Sequence, residues 1–115
     1  MHDITEEQLR LIKLHLIIPY AITVLEDDAA LVGAIGSFGS IYAAPLKEWQ
    51  NRLFLLKHEV SKMLREYKIE VNLLEQNKQI GVRAEYWHKR YRHTFGMTSA
   101  YVRAEVETLI REMGK

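Results

Sequence analysis

One apolar stripe constrains the fold of this chain more than any other feature of its sequence. From Leu46 to Tyr67, apolar residues recur at alternating spacings of three and four. This spacing places them on one face of a helix, and charged residues occupy the other faces. The stripe therefore predicts a long amphipathic helix with Pro45 in its first turn. Its members are Leu46, Trp49, Leu53, Leu56, Val60, Met63 and Tyr67.

The N-terminal part of the chain predicts a helix that is buried nearly all round. Thr5 and Gln8 stand at the spacing of a capping box, so the helix is expected to begin near residue 5. Eleven of the fifteen residues from 11 to 25 are apolar, and no clean polar face survives among them. Pro19 lacks the backbone donor that a helix interior needs, so it predicts a kink or a break into two helices.

An acidic run and a set of glycines follow this helix. Glu26, Asp27 and Asp28 form the only acidic run, and Asp27 is a good N-cap for a second helix over residues 29–35. A capped turn is the expected role of this run, ahead of paired carboxylates for catalysis or a cation. The three glycines spaced by three residues predict either a flexible loop or a place where another backbone packs closely. They are Gly33, Gly36 and Gly39.

Residues 69–95 are compatible with two structures. Apolar and polar residues alternate over 69–73 and again over 82–86, and Asn77 with Lys78 favours a turn between them, which predicts a two-stranded hairpin. This interpretation needs a bulge near His88, because the aromatic residues after it change face. A helical stripe over the same residues is the alternative, and Gly81 together with the aromatic enrichment favours the hairpin. Gly96 is expected to end the segment, and Thr98 or Ser99 to cap a last helix that runs to Met113.

These elements predict an α+β fold in a single domain over residues 1–115. Its expected parts are an N-terminal helical pair, the long amphipathic helix, a two-stranded antiparallel hairpin and a C-terminal helix. A lone hairpin is marginally stable, so it must pack on the helices or pair with a second chain. The alternative is an all-α bundle in which residues 69–95 are helical.

Composition excludes several classes of protein. The chain has 115 residues, no cysteine and a formal net charge of +1. The lack of cysteine rules out disulfide scaffolds and thiol nucleophiles and fits a cytoplasmic location. The uncharged stretches are short or rich in glycine, so we expect no membrane span. Residues 1–44 carry a net charge of −4 and residues 45–115 one of +5, which favours docking between the two parts, within one chain or between subunits.

The most basic and aromatic segment of the chain spans residues 83–93. Basic side chains neutralise phosphates and aromatic rings stack on bases, so the segment is a candidate nucleic-acid platform. The competing interpretation is a half-buried element with a solvated basic edge, which the near-zero net charge favours. The candidate nucleic-acid-binding residues are Arg83, Trp87, Lys89, Arg90 and Arg92.

The sequence carries no recognisable catalytic or metal-binding motif. None of the five histidines is paired at the helical spacings of a metal site, so we expect no metal and no cofactor. An enzyme would need acid–base groups that converge only in space, for example Glu85, His88 or His93.

The expected function is therefore that of a small cytoplasmic, non-catalytic interaction or regulatory module. We expect it to be homodimeric, because two strongly apolar helices both need covering in a small domain. The stripe from Leu46 to Tyr67 is the candidate subunit interface, and an ordinary core helix is its alternative. A protein partner, a nucleic-acid partner and a small enzyme activity are the further possibilities.

Overall fold

A computed structural model describes residues 4–34 and 39–113 of the chain. Helix α1 spans Glu6–Gly33 and begins with the predicted capping box, in which the Thr5 hydroxyl accepts from the Gln8 backbone and the Gln8 side chain accepts from Thr5. The helix is continuous, so the prediction of two N-terminal helices is wrong. It passes through Pro19, whose carbonyl accepts a hydrogen bond from the Thr23 hydroxyl at 3.0 Å.

The acidic run does not cap a second helix. Glu26, Asp27 and Asp28 lie on the exposed side of α1, while Leu25 and Ala29 on the other side are buried. Burial of these two positions, four residues apart on one face, holds the helix together through the acidic turn. The predicted loop around Gly36 lies outside the described residues.

Helix α2 spans Gly39–Glu66 and runs back along α1. It begins six residues before Pro45, which therefore lies inside the helix instead of opening it. The two 28-residue helices form a hairpin roughly 42 Å long. Its interior holds the largest fully buried side chains of the described residues, which are Ile12, Ile18, Leu25, Leu53 and Val60.

A three-stranded antiparallel sheet follows α2, with the order β1-β2-β3. The strands are β1 (Glu70–Asn77), β2 (Gly81–His88) and β3 (Tyr91–Thr98). The α+β prediction is thus confirmed, and the all-α alternative is not realised. The sheet has one strand more than predicted, because the chain turns at residues 89–90 where a bulge was expected. The bulge lies in β1 instead, between Leu73 and Glu75.

Two turns of different chemistry connect the strands. In the first, the Asn77 side chain accepts hydrogen bonds from the backbone of Gln79 and Ile80, as the sequence predicted for a turn at this residue. In the second, Lys89 and Arg90 both adopt positive φ, 52° and 71°. Two consecutive left-handed residues are the requirement of a type I′ hairpin turn.

Helix α3 spans Ser99–Met113 and packs across α1 and the sheet. Its predicted cap is confirmed, because the Thr98 hydroxyl accepts from the Tyr101 backbone at 3.1 Å. Val102 and Val106 are the buried residues of its apolar side. Gly96 does not end the strand region, since β3 continues through it to Thr98. One face of the sheet therefore contributes to the helical core, and the other face has no layer over it among the described residues.

Candidate interaction surface

Strand β2 separates the two faces of the sheet. Val82, Ala84, Tyr86 and His88 are buried on the side that faces the helices, and the residues between them point the opposite way. The cross-strand neighbours of those alternate residues complete what we call the open face. Its members are Glu70, Asn72, Glu75, Arg83, Glu85, Trp87, Arg92, Thr94 and Gly96.

Trp87 is the largest apolar side chain of the open face. It is 39% exposed and stands directly opposite Arg92 in the β2–β3 ladder. A tryptophan on the uncovered face of a sheet gains nothing from the helical core. Its amphipathic ring is of the kind that dominates binding energy when a partner covers it.

The predicted nucleic-acid-binding residues divide into two groups. The structure brings Arg83, Trp87 and Arg92 together on the open face, while Lys89 and Arg90 occupy the turn between β2 and β3. The two arginines of the open face are already paired. The Arg92 guanidinium binds the Glu85 carboxylate, and the Nη1 atom of Arg83 lies 3.3 Å from the Oε2 atom of Glu75.

These pairs change the electrostatics of the face. Glu85 also accepts a hydrogen bond from Asn72 at 3.4 Å. Its side chain is 14% exposed, the lowest value among the ion-paired side chains of the described residues. With Glu70 included, the acidic groups of the open face outnumber the basic groups by one. A phosphate chain would meet a neutralised surface there and find cationic side chains chiefly at the turn.

The groups expected for an acid–base site do not meet on one side of the sheet. Glu85 is on the open face, whereas His88 and His93 are on the helix-facing side. The ring of His93 stacks on Tyr86 with 4.8 Å between ring centroids. Burial raises the pKa of the Tyr86 hydroxyl, which keeps this group neutral at physiological pH.

The apolar stripe of α2 is directed at the rest of its own chain. Leu53 and Val60 are buried, and Leu46, Trp49, Leu56 and Met63 pack partly buried against the same core. Tyr67 is 38% exposed. Self-association stays a prediction, and the apolar side chains that α2 leaves most accessible are Phe54, Leu55 and Ile41.

An open groove of about 550 Å³ lies between α1 and α3. Its walls mix acidic, basic and apolar side chains, and the Lys13 ammonium sits 5.3 Å from the centre of the Tyr101 ring. This contact ties the two helices together. In the part of the chain that the structure describes, no group of three potential ligands is arranged for a metal ion.

One described helix segment, Glu6–Val32, is long and apolar enough to cross a membrane. Half of its most apolar window is buried inside the molecule. Two buried polar atoms of this helix, the Nδ1 of His15 and the hydroxyl oxygen of Tyr20, find no hydrogen-bond partner among the described residues. Burial lowers the pKa of His15, and the charge of Lys57 lowers it further.

Sequence comparison places the chain among known families. The family model described as YhjD protein matches residues 3–115. The chain belongs to the YhjD protein family. The match covers the helical hairpin, the sheet and α3 together. No curated protein and no solved structure matches the chain.

Two features of the YhjD family chain escaped prediction from the sequence. The two-residue turn at Lys89 and Arg90 lacks the Asn-Gly pair that marks such turns. Strand β3 contains Gly96, and a glycine at this place predicted the end of the segment instead of a continuing edge strand. The alternating pattern of Arg92, Thr94 and Gly96 against more apolar neighbours was the available signal for this strand.

Proposed function

We propose that this chain is a non-catalytic interaction module of the cytoplasm that associates with itself through the sheet side of the molecule. The observation that carries the proposal is the open face, where Trp87 stands exposed on a layer that the described helices cover from one side only. The absence of cysteine in the sequence fits a reducing compartment.

The character of the surface favours a protein over a phosphate chain. Protein interfaces combine an aromatic anchor with polar groups whose charges are already compensated. Trp87 has this setting, because Arg92 beside it is bound to Glu85. A second protein can cover Arg92 and Glu85 without leaving either of these two charges unpaired.

Light scattering on a sizing column tests the proposal. We expect a mass of about twice 13.5 kDa that falls toward one chain on dilution. The matched control is the double variant Phe54→Ser/Leu55→Ser, which removes exposed apolar side chains from α2. It should keep the wild-type mass. A monomer at every concentration would contradict self-association, and a monomeric α2 variant would move the interface to the helices.

Nucleic-acid binding is the second candidate, and one observation favours it. Lys89 and Arg90 occupy turn positions that disfavour their residue type, and they stand beside the end of β2 that carries Trp87. Titration with a mixed single-stranded oligonucleotide pool at low and high salt tests it. Binding at low salt that is lost with Lys89→Ala/Arg90→Ala would support this function, and no binding at low salt would remove it.

A further inference from the structure

Strand β3 is an edge strand whose outer backbone is exposed. The Ser99 amide donates to the Ile80 carbonyl at 3.1 Å, which marks the residue pair just beyond Gly81 and Thr98 as hydrogen-bonded. Hydrogen-bonded and non-hydrogen-bonded pairs alternate along an antiparallel ladder. Between the terminal residues of β3, those that bond to β2 are therefore His93, Phe95 and Met97, and those that direct their N–H and C=O groups outward are Arg92, Thr94 and Gly96.

These three outward-facing residues are all exposed. Among the described residues, no turn, cap or side-chain hydrogen bond involves their backbone groups. An eight-residue strand of this kind presents a row of donors and acceptors that another strand can pair with.

The other edge of the sheet differs in the features that prevent pairing. Strand β1 has a bulge between Leu73 and Glu75 and carries Glu70 and Glu75 along its length. Bulges and charges are the devices by which edge strands resist association. The register of β3 against β2 is regular throughout, and Arg92 is its only formally charged residue.

Gly96 points to the approach of another backbone. A Cβ atom built there would meet only the Val82 carbonyl oxygen, at 3.6 Å, which is ordinary contact. The fold of a single chain therefore does not require glycine at this position. Glycine inside a strand often marks a place where a second backbone approaches closely.

We propose that β3 pairs with β3 of a second copy of this chain, antiparallel and about a two-fold axis, to form a continuous six-stranded sheet. This inference rests on the proposed function, because it names the partner of that self-association and assigns the contact to the β3 edge of the sheet instead of the open face. The symmetric register centres on Thr94, which then stands opposite its own copy. Arg92 stands opposite Gly96 of the partner, so the like charges are not adjacent.

This register uses the outward-facing groups of Arg92, Thr94 and Gly96. The pair Thr94–Thr94 and the two Arg92–Gly96 pairs become hydrogen-bonded pairs, each exchanging both of its N–H···O bonds. Thr–Thr pairs across strands are favourable. On the helix-facing side, His93 comes opposite Phe95 of the other copy, which adds aromatic pairs next to the Tyr86 ring that already contacts both residues within the chain.

Three variants of Thr94 test the pairing, with sedimentation equilibrium as the measurement. Thr94→Pro removes the outward N–H without touching the ladder to β2, since edge strands tolerate proline where the N–H faces solvent. Thr94→Lys places two positive charges opposite each other across the two-fold axis, at an exposed position that the monomer tolerates. Thr94→Val keeps the strand preference and is the matched control.

We expect the wild type and Thr94→Val to be dimeric, and Thr94→Pro and Thr94→Lys to be monomeric at the same concentration. Circular dichroism of all four proteins at that concentration confirms that each is folded. Folded Pro and Lys variants that remain dimeric would overturn the β3 pairing while leaving self-association intact. If Trp87→Ala alone abolishes such a dimer, the open faces themselves meet. A monomeric wild type would overturn both proposals, and growth beyond a dimer would replace the two-fold pairing with head-to-tail association.

Discussion

Tyr86 and Trp87 are neighbours in β2, yet they belong to two different regions of the molecule. Tyr86 is 8% exposed and faces the helices, where its ring contacts His93 and Phe95. Trp87 is 39% exposed and faces away from them. The comparison shows that every second residue of β2 packs into the core and stabilises the fold. The residues between them remain accessible to a partner.

Truncation of these two aromatic residues should give the largest difference in the free energy of unfolding between the two regions. Tyr86→Ala removes a ring from the core side and should lower the free energy of unfolding by roughly 3–5 kcal/mol. Trp87→Ala should lower it by about 1 kcal/mol or less, because exposed positions contribute little. Urea denaturation followed by circular dichroism measures both. Equal losses for the two variants would show that the open face is also part of the core.

The two glycines of the sheet offer a second comparison. Gly81 has φ +136°, and a Cβ there would lie 2.0 Å from the Met97 carbonyl oxygen. We expect Gly81→Ala to cost about 3 kcal/mol, since both strain and collision oppose it.

Gly96→Ala is the matched control for this effect. It should leave stability unchanged or raise it by about 0.5–1 kcal/mol, because alanine restricts the unfolded chain more than glycine does. Thermal unfolding of both variants provides the measurement. A severe loss at Gly96 would mean that the glycine serves the fold of the single chain, which would remove one support of the β3 pairing.

Variants of the β2–β3 turn test whether Lys89 and Arg90 stabilise the fold. Lys89 and Arg90 both occupy left-handed conformations, which cost non-glycine residues roughly 1–2 kcal/mol each. The variant Lys89→Asn/Arg90→Gly should therefore unfold at a higher urea concentration, with a gain of about 1 kcal/mol or more. Oligonucleotide binding, if the wild type has it, should disappear in the same variant. A destabilised variant would show that the two basic side chains support the turn.

The smallest expected effect is a pH dependence of the free energy of unfolding, which arises from the half-buried His15 of α1. His15 has its pKa lowered by burial and by Lys57, so the folded chain binds a proton less readily than the unfolded chain. The contribution of His15 to the free energy of unfolding should therefore be fully present above pH 6.5, the ordinary pKa of histidine. It should be lost as the pH falls from there toward the lowered pKa. Urea midpoints at neutral and mildly acidic pH measure it, with His15→Gln as the control. An equal acid loss in that variant would assign the effect to other groups.

The helical part of this fold was predictable because its signals are local and repeated. The Thr5 capping box, the α2 stripe and the Thr98 cap all appear where the sequence placed them. The length of α1 was not predictable, since Pro19 and Asp27 are usual breakers and its packing against the rest of the chain, chiefly α2, overrides them. The third strand was missed because its turn is built from Lys89 and Arg90.

The candidate surface was predictable only in part. Sequence reasoning selected Arg83, Trp87 and Arg92, and the strand alternation brings them onto one face. It did not foresee that Glu75 and Glu85 neutralise the two arginines, because those contacts depend on the register between strands. The exposed edge of β3 depends on the order of the strands, which local patterns do not determine.

Residue-resolved amide hydrogen exchange at low and high protein concentration tests the central claim most directly. The outward amides of Arg92, Thr94 and Gly96 should exchange quickly at low concentration and become protected at high concentration. The inward amides of His93, Phe95 and Met97 should be protected at both. Outward amides that exchange quickly at every concentration, in a sample that light scattering shows to be dimeric, would contradict association through β3.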